Sequence, residues 1–170
     1  MTEKIVVLDG TRVPTGSFGG VYKDVPGYQL GAAAVTEALA RSGVAGDDVD
    51  EVVMGCIGQV GPDAYNARRV ALAADLPTSV PAFTVNRLCG SGLQAIWSAA
   101  QEMRWNGLAF AVAGGDESMT RMPFYDFGAR NGYRLGDRVL ADGTTLMLTD
   151  PFDQVLMGVT AENVARRYDI

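Results

Sequence analysis

The stretch with the most chemistry in it is Val85-Asn86-Arg87-Leu88-Cys89-Gly90-Ser91-Gly92-Leu93. A cysteine stands here between an apolar run that reads as a strand, residues 82–86, and a run with helical spacing from about Gly90 to Trp105. The first turn of a helix carries unpaired N–H groups and the positive end of the helix dipole, so it favours an anion. A thiolate is such an anion, and its nucleophilicity at neutral pH is expected to rise there. Gly90 and Gly92 are expected to let the backbone turn sharply and to leave room for a bulky acyl group. A buried structural cysteine fits the same position. The other thiol, Cys56 in MGCIG, reads as packing within a strand.

A second motif overlaps the first. Gly90 to Ala95 (GSGLQA) fits G-x-G-x-x-A, which follows a strand and opens a helix in dinucleotide-binding folds. That fingerprint belongs at the first strand–helix turn, and here it stands at the third. The next acidic residues, Asp116 and Glu117, also lie further on than the roughly 20 residues the fingerprint calls for. An NAD-binding oxidoreductase is therefore the weaker reading.

Several classes are excluded by composition. The chain has 170 residues, 48% of them hydrophobic and 20% charged, with 21 glycines, which suits a globular α/β protein with many tight turns. The net charge is −6 and no block of Lys and Arg appears, so no nucleic-acid partner is expected. Arg121, Arg130, Arg134 and Arg138 do gather in one stretch. They read as solvated surface, or as a contact for an anionic ligand or a neighbouring subunit. No apolar run reaches the roughly 20 residues that span a bilayer, and Met1 to Gly10 lacks a signal-peptide pattern, so the cytoplasm is the expected compartment. With no histidine and two cysteines, neither a zinc site nor a disulfide framework is expected.

The elements that must position Cys89 follow from periodicity. Strands are predicted at 4–8, 51–57, 82–86 and 108–113, and helices at 28–41, about 64–75, about 90–105 and about 158–168. Gly43 and Asn106-Gly107 are the expected helix stops, and Asp63 is the expected cap of the second helix. The alternation calls for a largely parallel sheet covered by helices. The helix after Cys89 carries Leu93, Ala95, Ile96, Trp97, Ala99, Ala100 and Met103, more than one narrow stripe, so burial on more than one side is expected. A chain with such a helix is expected to pair with another body, self-associate or aggregate. From Gly114 to Asp153 the periodicity is lost, which suggests an excursion off the sheet.

NRLCGSGLQAI resembles the nucleophile motif of the thiolase family. RVPTGSFGG at 12–20, AGGDESMTRMPF at 113–124 and MGVTAENVARRYDI at 157–170 resemble three further motifs of that family, in the same order. The resemblance implies the N-terminal half of the thiolase fold over 1–114 and the beginning of its loop domain over 115–170. It implies an acyltransferase that passes acyl groups between coenzyme A thioesters, making or cleaving 3-ketoacyl-CoA. Cys89 falls at the acylated cysteine, and Met157 at a position that lines the acyl pocket. Acyl-CoA is then a substrate, and no permanently bound cofactor or metal is implied. Intact members form dimers and often tetramers.

Two departures bear on this. Leu156 stands where some biosynthetic members have a histidine. Family members are more than twice as long, and their activating histidine and second catalytic cysteine lie in a C-terminal half. The 170 residues alone are thus expected to be incomplete. A non-catalytic thiolase-like subunit that binds acyl-CoA or a partner chain is the alternative.

Overall fold

The computed structural model describes residues 4–170, which form two compact units that meet in sequence at Arg121 and Met122. The first unit is built on a three-stranded parallel sheet. Its strands are β1 (Glu51–Gly55), β2 (Ala82–Val85) and β3 (Ala111–Gly115), in the order β2-β1-β3. Three helices accompany them: α1 (Gly27–Ser42), α2 (Asn66–Ala73) and α3 (Ser91–Asn106). The chain runs β1-α2-β2-α3-β3, the alternation that yields a parallel sheet with helices on both faces.

The central strand shows why both faces are covered. Val53 pairs with Phe83 on one side and Ala113 on the other. Side chains alternate along a strand. Val52 and Met54 therefore join Val35, Ala67, Val70 and Ala71 of α1 and α2, while Val53 points the other way onto Ala95 and Ala99 of α3. An apolar run without polar alternation, as in Val52-Val53-Met54, is what a strand buried on both faces requires.

The helix stops fall where glycine chemistry places them. Gly43 and Gly107 both adopt the left-handed conformation, at φ 72° and 68°, and end α1 and α3. The predicted cap of α2 is corrected. Asp63 lies in a 3₁₀ turn (Gly61–Tyr65) and pairs with Arg69, whose guanidinium also stacks on Tyr28 of α1. The first turn of α2 is served from the sheet instead: the Ala67 N–H donates to Thr84 Oγ1 at 3.0 Å.

Two strand expectations also change. Residues 4–8 form no strand. Val6, Val7 and Leu8 are exposed and take no part in either sheet, because an apolar run becomes a strand only when another strand accepts its ladder. The strand predicted at 108–113 begins later, at Ala111, in register with Glu51. The Ala109 and Phe110 N–H groups are taken by the Asp50 carboxylate, at 2.7 and 3.0 Å.

The third helix is covered on one side, which leaves open the apolar side that is expected to meet another body. Only its Ser91, Ala95 and Ala99 are buried; Leu93 and Trp97 are 77% and 63% exposed. Among the described residues one sheet face is all that covers α3.

The second unit, from Met122, contains a two-stranded antiparallel sheet of β4 (Phe124–Tyr125) and β5 (Ala141–Asp142). Asp142 caps the short helix α4 (Gly143–Met147) by accepting the Thr144 N–H at 2.8 Å. Gly143 is packed so closely that an added Cβ would lie 2.4 Å from the Pro123 carbonyl oxygen. The unit ends in α5 (Met157–Tyr168), which buries none of its residues. No helix among the described residues is long and apolar enough to cross a membrane.

Candidate active site

Cys89 lies between the end of β2 and the start of α3, and it is exposed. The reading of Cys89 as a buried structural cysteine is therefore set aside; that description belongs to Cys56. The sharp turn expected at Gly90 or Gly92 falls elsewhere. Leu88, directly before the cysteine, holds the left-handed conformation at φ 49°, while Gly90 has φ −86°. A side chain with a branched body rarely adopts that conformation, so the surroundings must impose it.

Ser91 is one source of that constraint, and its sequence position alone carries no sign of it. It is 5% exposed. Its hydroxyl accepts the Arg87 N–H at 2.9 Å and donates to the Leu88 carbonyl at 2.6 Å. The Ser91 N–H donates to the same carbonyl at 2.9 Å. Asn86 is another source, since its Oδ1 accepts the Leu88 N–H at 3.0 Å. The five residues from Asn86 to Gly90 thus form a closed turn that carries the thiol outward. No side chain caps α3, so its first turn stays open to an anion.

Glycines in the sheet let the helix come this close. A Cβ on Gly55, the last residue of β1, would lie 2.5 Å from the Ser91 carbonyl carbon and 2.7 Å from the Gly92 nitrogen. A Cβ on Gly115 would meet the Gly55 oxygen at 3.0 Å. The carboxyl ends of parallel strands and the amino end of a crossover helix converge here, the usual location of ligands in open α/β sheets. Gly92 has open space where its Cβ would be.

Cys56 has the opposite character. It follows β1 directly, is 5% exposed, and donates its thiol to Glu117 Oε1 at 3.8 Å. Burial, and then the Glu117 charge, push its thiol up to about 12. Glu117 also accepts the Ile57 N–H at 2.8 Å and the Gly58 N–H at 3.2 Å. Its neighbour Asp116 is held under α1, where a Cβ on Gly27 or Gly31 would touch its carboxylate oxygens. Asn66 donates to Oδ2 at 2.9 Å, while Oδ1 is buried without a partner. Burial pushes the Asp116 carboxyl up to about 6.

The Asp116 shift predicts a pH dependence. A carboxyl raised from 3.8 to about 6 binds its proton more tightly folded than unfolded. Its contribution is fully present below pH 4 and is lost as pH rises through 6. Asp116→Asn is therefore expected to match the wild type near pH 4 and to exceed it by about 1–3 kcal/mol above pH 7. Urea unfolding at both pH values measures this. A difference between the two proteins that does not change with pH would contradict the assignment.

Met157 belongs to the second unit. It is the first residue of α5, half exposed, with its N–H donating to the Leu148 carbonyl at 3.0 Å. Of the gathered arginines, Arg121 ends a 3₁₀ turn of the first unit, and Arg130, Arg134 and Arg138 lie in the second, Arg138 stacked on Tyr133. All four are exposed. Among the described residues no group of three or more acidic or cysteine side chains could hold a metal ion.

The thiolase N-terminal domain matches this chain over residues 5–170. The beta-ketothiolase BktB of Cupriavidus necator is 51% identical over 171 residues, which cover 100% of this chain and 43% of that relative. An acetyl-CoA acetyltransferase of Syntrophomonas wolfei is 40% identical over 100% of this chain and 44% of its own length. An acetyl-CoA acetyltransferase of Cupriavidus necator is 41% identical over 98% of this chain and 42% of its own. The chain thus spans less than half the length of these relatives. The domain match takes in the dinucleotide-like GSGLQA run, whose glycines here serve the start of α3. A match that runs from the first strand-like segment to the last residue, with relatives of one kind across it, places this chain in the thiolase family, as its N-terminal domain.

Proposed function

We propose that this protein takes part in acyl transfer between coenzyme A thioesters, with Cys89 as the acyl acceptor. The observation that carries the reading is an exposed thiol held by a constrained turn at the open amino end of α3. The Cys89 thiolate attacks the thioester carbonyl carbon of an acyl-CoA. The tetrahedral adduct collapses, the carbon–sulfur bond to coenzyme A breaks, and coenzyme A leaves as a thiolate that takes up a proton. The acyl group then rests on Cys89 Sγ until coenzyme A or the α-carbon of a second acyl-CoA removes it.

That second step defines what these residues leave to others. Carbon–carbon bond formation needs a base for a weakly acidic C–H and donors for the oxyanion. No histidine occurs in the 170 residues. In this reading the base comes from a C-terminal half like that of the longer relatives, and Met157 lines the acyl pocket. The open apolar side of α3, with Leu93, Ile96 and Trp97, serves contact within a dimeric or tetrameric enzyme.

Iodoacetamide labelling of the folded protein at pH 7, read by peptide mass spectrometry, tests the nucleophile. With its thiol pushed up to about 12, only about one Cys56 in 10⁵ is thiolate at that pH, and it is buried. Cys89 is expected to label at least about a hundredfold faster. Equal rates would remove Cys89 from the mechanism.

A further inference from the structure

We infer that Glu117 is a positioning residue for Cys89: its carboxylate holds the loop after β1, and that loop holds, through Asn86, the turn that presents the thiol. This rests on the reading of Cys89 as the acyl acceptor.

The connection is a continuous run of hydrogen bonds. Glu117 Oε2 accepts the Ile57 N–H at 2.8 Å, and Oε1 accepts the Gly58 N–H at 3.2 Å. Cys56 adds its thiol to Oε1. One carboxylate therefore serves donors from three consecutive residues, a task for an acceptor-only group with two oxygens. The Ile57 carbonyl, so placed, accepts Asn86 Nδ2 at 3.4 Å. The other end of the same amide, Oδ1, accepts the Leu88 N–H at 3.0 Å. Each end of the Asn86 amide has a partner in this orientation only. Leu88 is the residue in the left-handed conformation, and Cys89 follows it.

The two constraints on Leu88 have different origins. Ser91 is local, since it sits one helical turn ahead and bonds to Arg87 and Leu88. Asn86 joins the turn to a loop from another strand, and that loop is fixed by a residue beyond the end of β3. The elbow is in this way referred to the carboxyl ends of all three strands. Loosening the far end should let Leu88 relax and let the thiol leave its place ahead of α3.

The test is the rate–pH profile of Cys89 alkylation on the full chain, resolved from Cys56 by peptide mass spectrometry. Glu117→Gln offers one acceptor oxygen and turns an NH₂ toward the remaining donor. Asn86→Ser keeps an acceptor for the Leu88 N–H and cannot reach Ile57. Each is expected to slow Cys89 labelling at pH 7 by about tenfold. The double variant should be no slower than the slower single, because both cut one path. A Glu117→Gln protein with the wild-type unfolding midpoint and an unchanged Cys89 profile would overturn the inference, and so would fully additive effects. If Glu117→Gln does not fold, Asn86→Ser at its exposed position decides alone, and an unchanged profile refutes the link. Wild-type Cys89 labelling no faster than Cys56 is a separate failure: it removes the acyl-acceptor reading itself, and the inference with it.

Discussion

The 170 residues purified alone are expected to acylate slowly at Cys89 and to show no acetoacetyl-CoA synthesis or thiolysis. The exposed thiol and the open end of α3 suffice for attack on a reactive thioester. The carbon–carbon step is different, because a positioned base is worth about 10²–10⁴-fold and the oxyanion donors add to it. The chain holds no histidine, Cys56 is pushed up to about 12 and buried, and Asp116 is enclosed against α1 and Asn66. Turnover is thus expected to lie at least about 10³-fold below that reached once a histidine-bearing C-terminal half is supplied. Acetoacetyl-CoA formation followed by absorbance, and the mass of the Cys89 peptide after exposure to acetyl-CoA, check the two halves of the statement. Robust turnover by these residues alone, lost in Cys89→Ala, would show that a base other than histidine lies among them.

Gly55→Ala is expected to be the most damaging single methyl in the first unit. The added carbon would lie 2.5 Å from the Ser91 carbonyl carbon, 2.6 Å from its oxygen and 2.7 Å from the Gly92 nitrogen. These are backbone atoms, so α3 or β1 must move to admit it. Overpacking of that kind costs about 1–3 kcal/mol, and more where the neighbour cannot give. We expect a loss of about 3 kcal/mol or more, together with slower labelling of Cys89, since the displaced first turn of α3 is the one that carries Ser91. Gly92→Ala is the internal control. It has open space at the same helix start, and alanine favours a helix over glycine by about 1 kcal/mol, so its stability should hold or rise. Thermal or urea unfolding of the two variants distinguishes them. A Gly55→Ala protein as stable as the wild type would mean that α3 does not sit where the geometry puts it.

What the amino-acid order determined by itself was local. Gly43 and Gly107 end helices because the left-handed conformation is open to glycine at little cost, and that preference needs no tertiary partner. The 51–57 run announced a strand, and the alternation of strands with helical periods announced a parallel sheet covered by helices. The NRLCGSG segment marked a cysteine at a strand-to-helix junction, and its four-motif context pointed to the family.

Tertiary structure decided everything that depends on a distant neighbour. Residues 4–8 have the composition of a strand, but a strand exists only where another accepts its hydrogen bonds. Asp63 has the right chemistry for a cap but pairs with Arg69, and the Ala67 N–H donates instead to Thr84, 17 residues further on. The sharp turn before the helix went to Leu88 and not to a glycine, since Asn86 and Ser91 together hold a leucine in a conformation it would not choose alone. Gly55 is one residue of the predicted 51–57 strand until Ser91 is placed against it. The task of Glu117 arises only when the loop of Ile57 and Gly58, 60 and 59 residues away in sequence, folds onto it. Propensity and periodicity act over a few residues, whereas buried polar partners and close backbone approach arise only once the sheet has brought remote segments together.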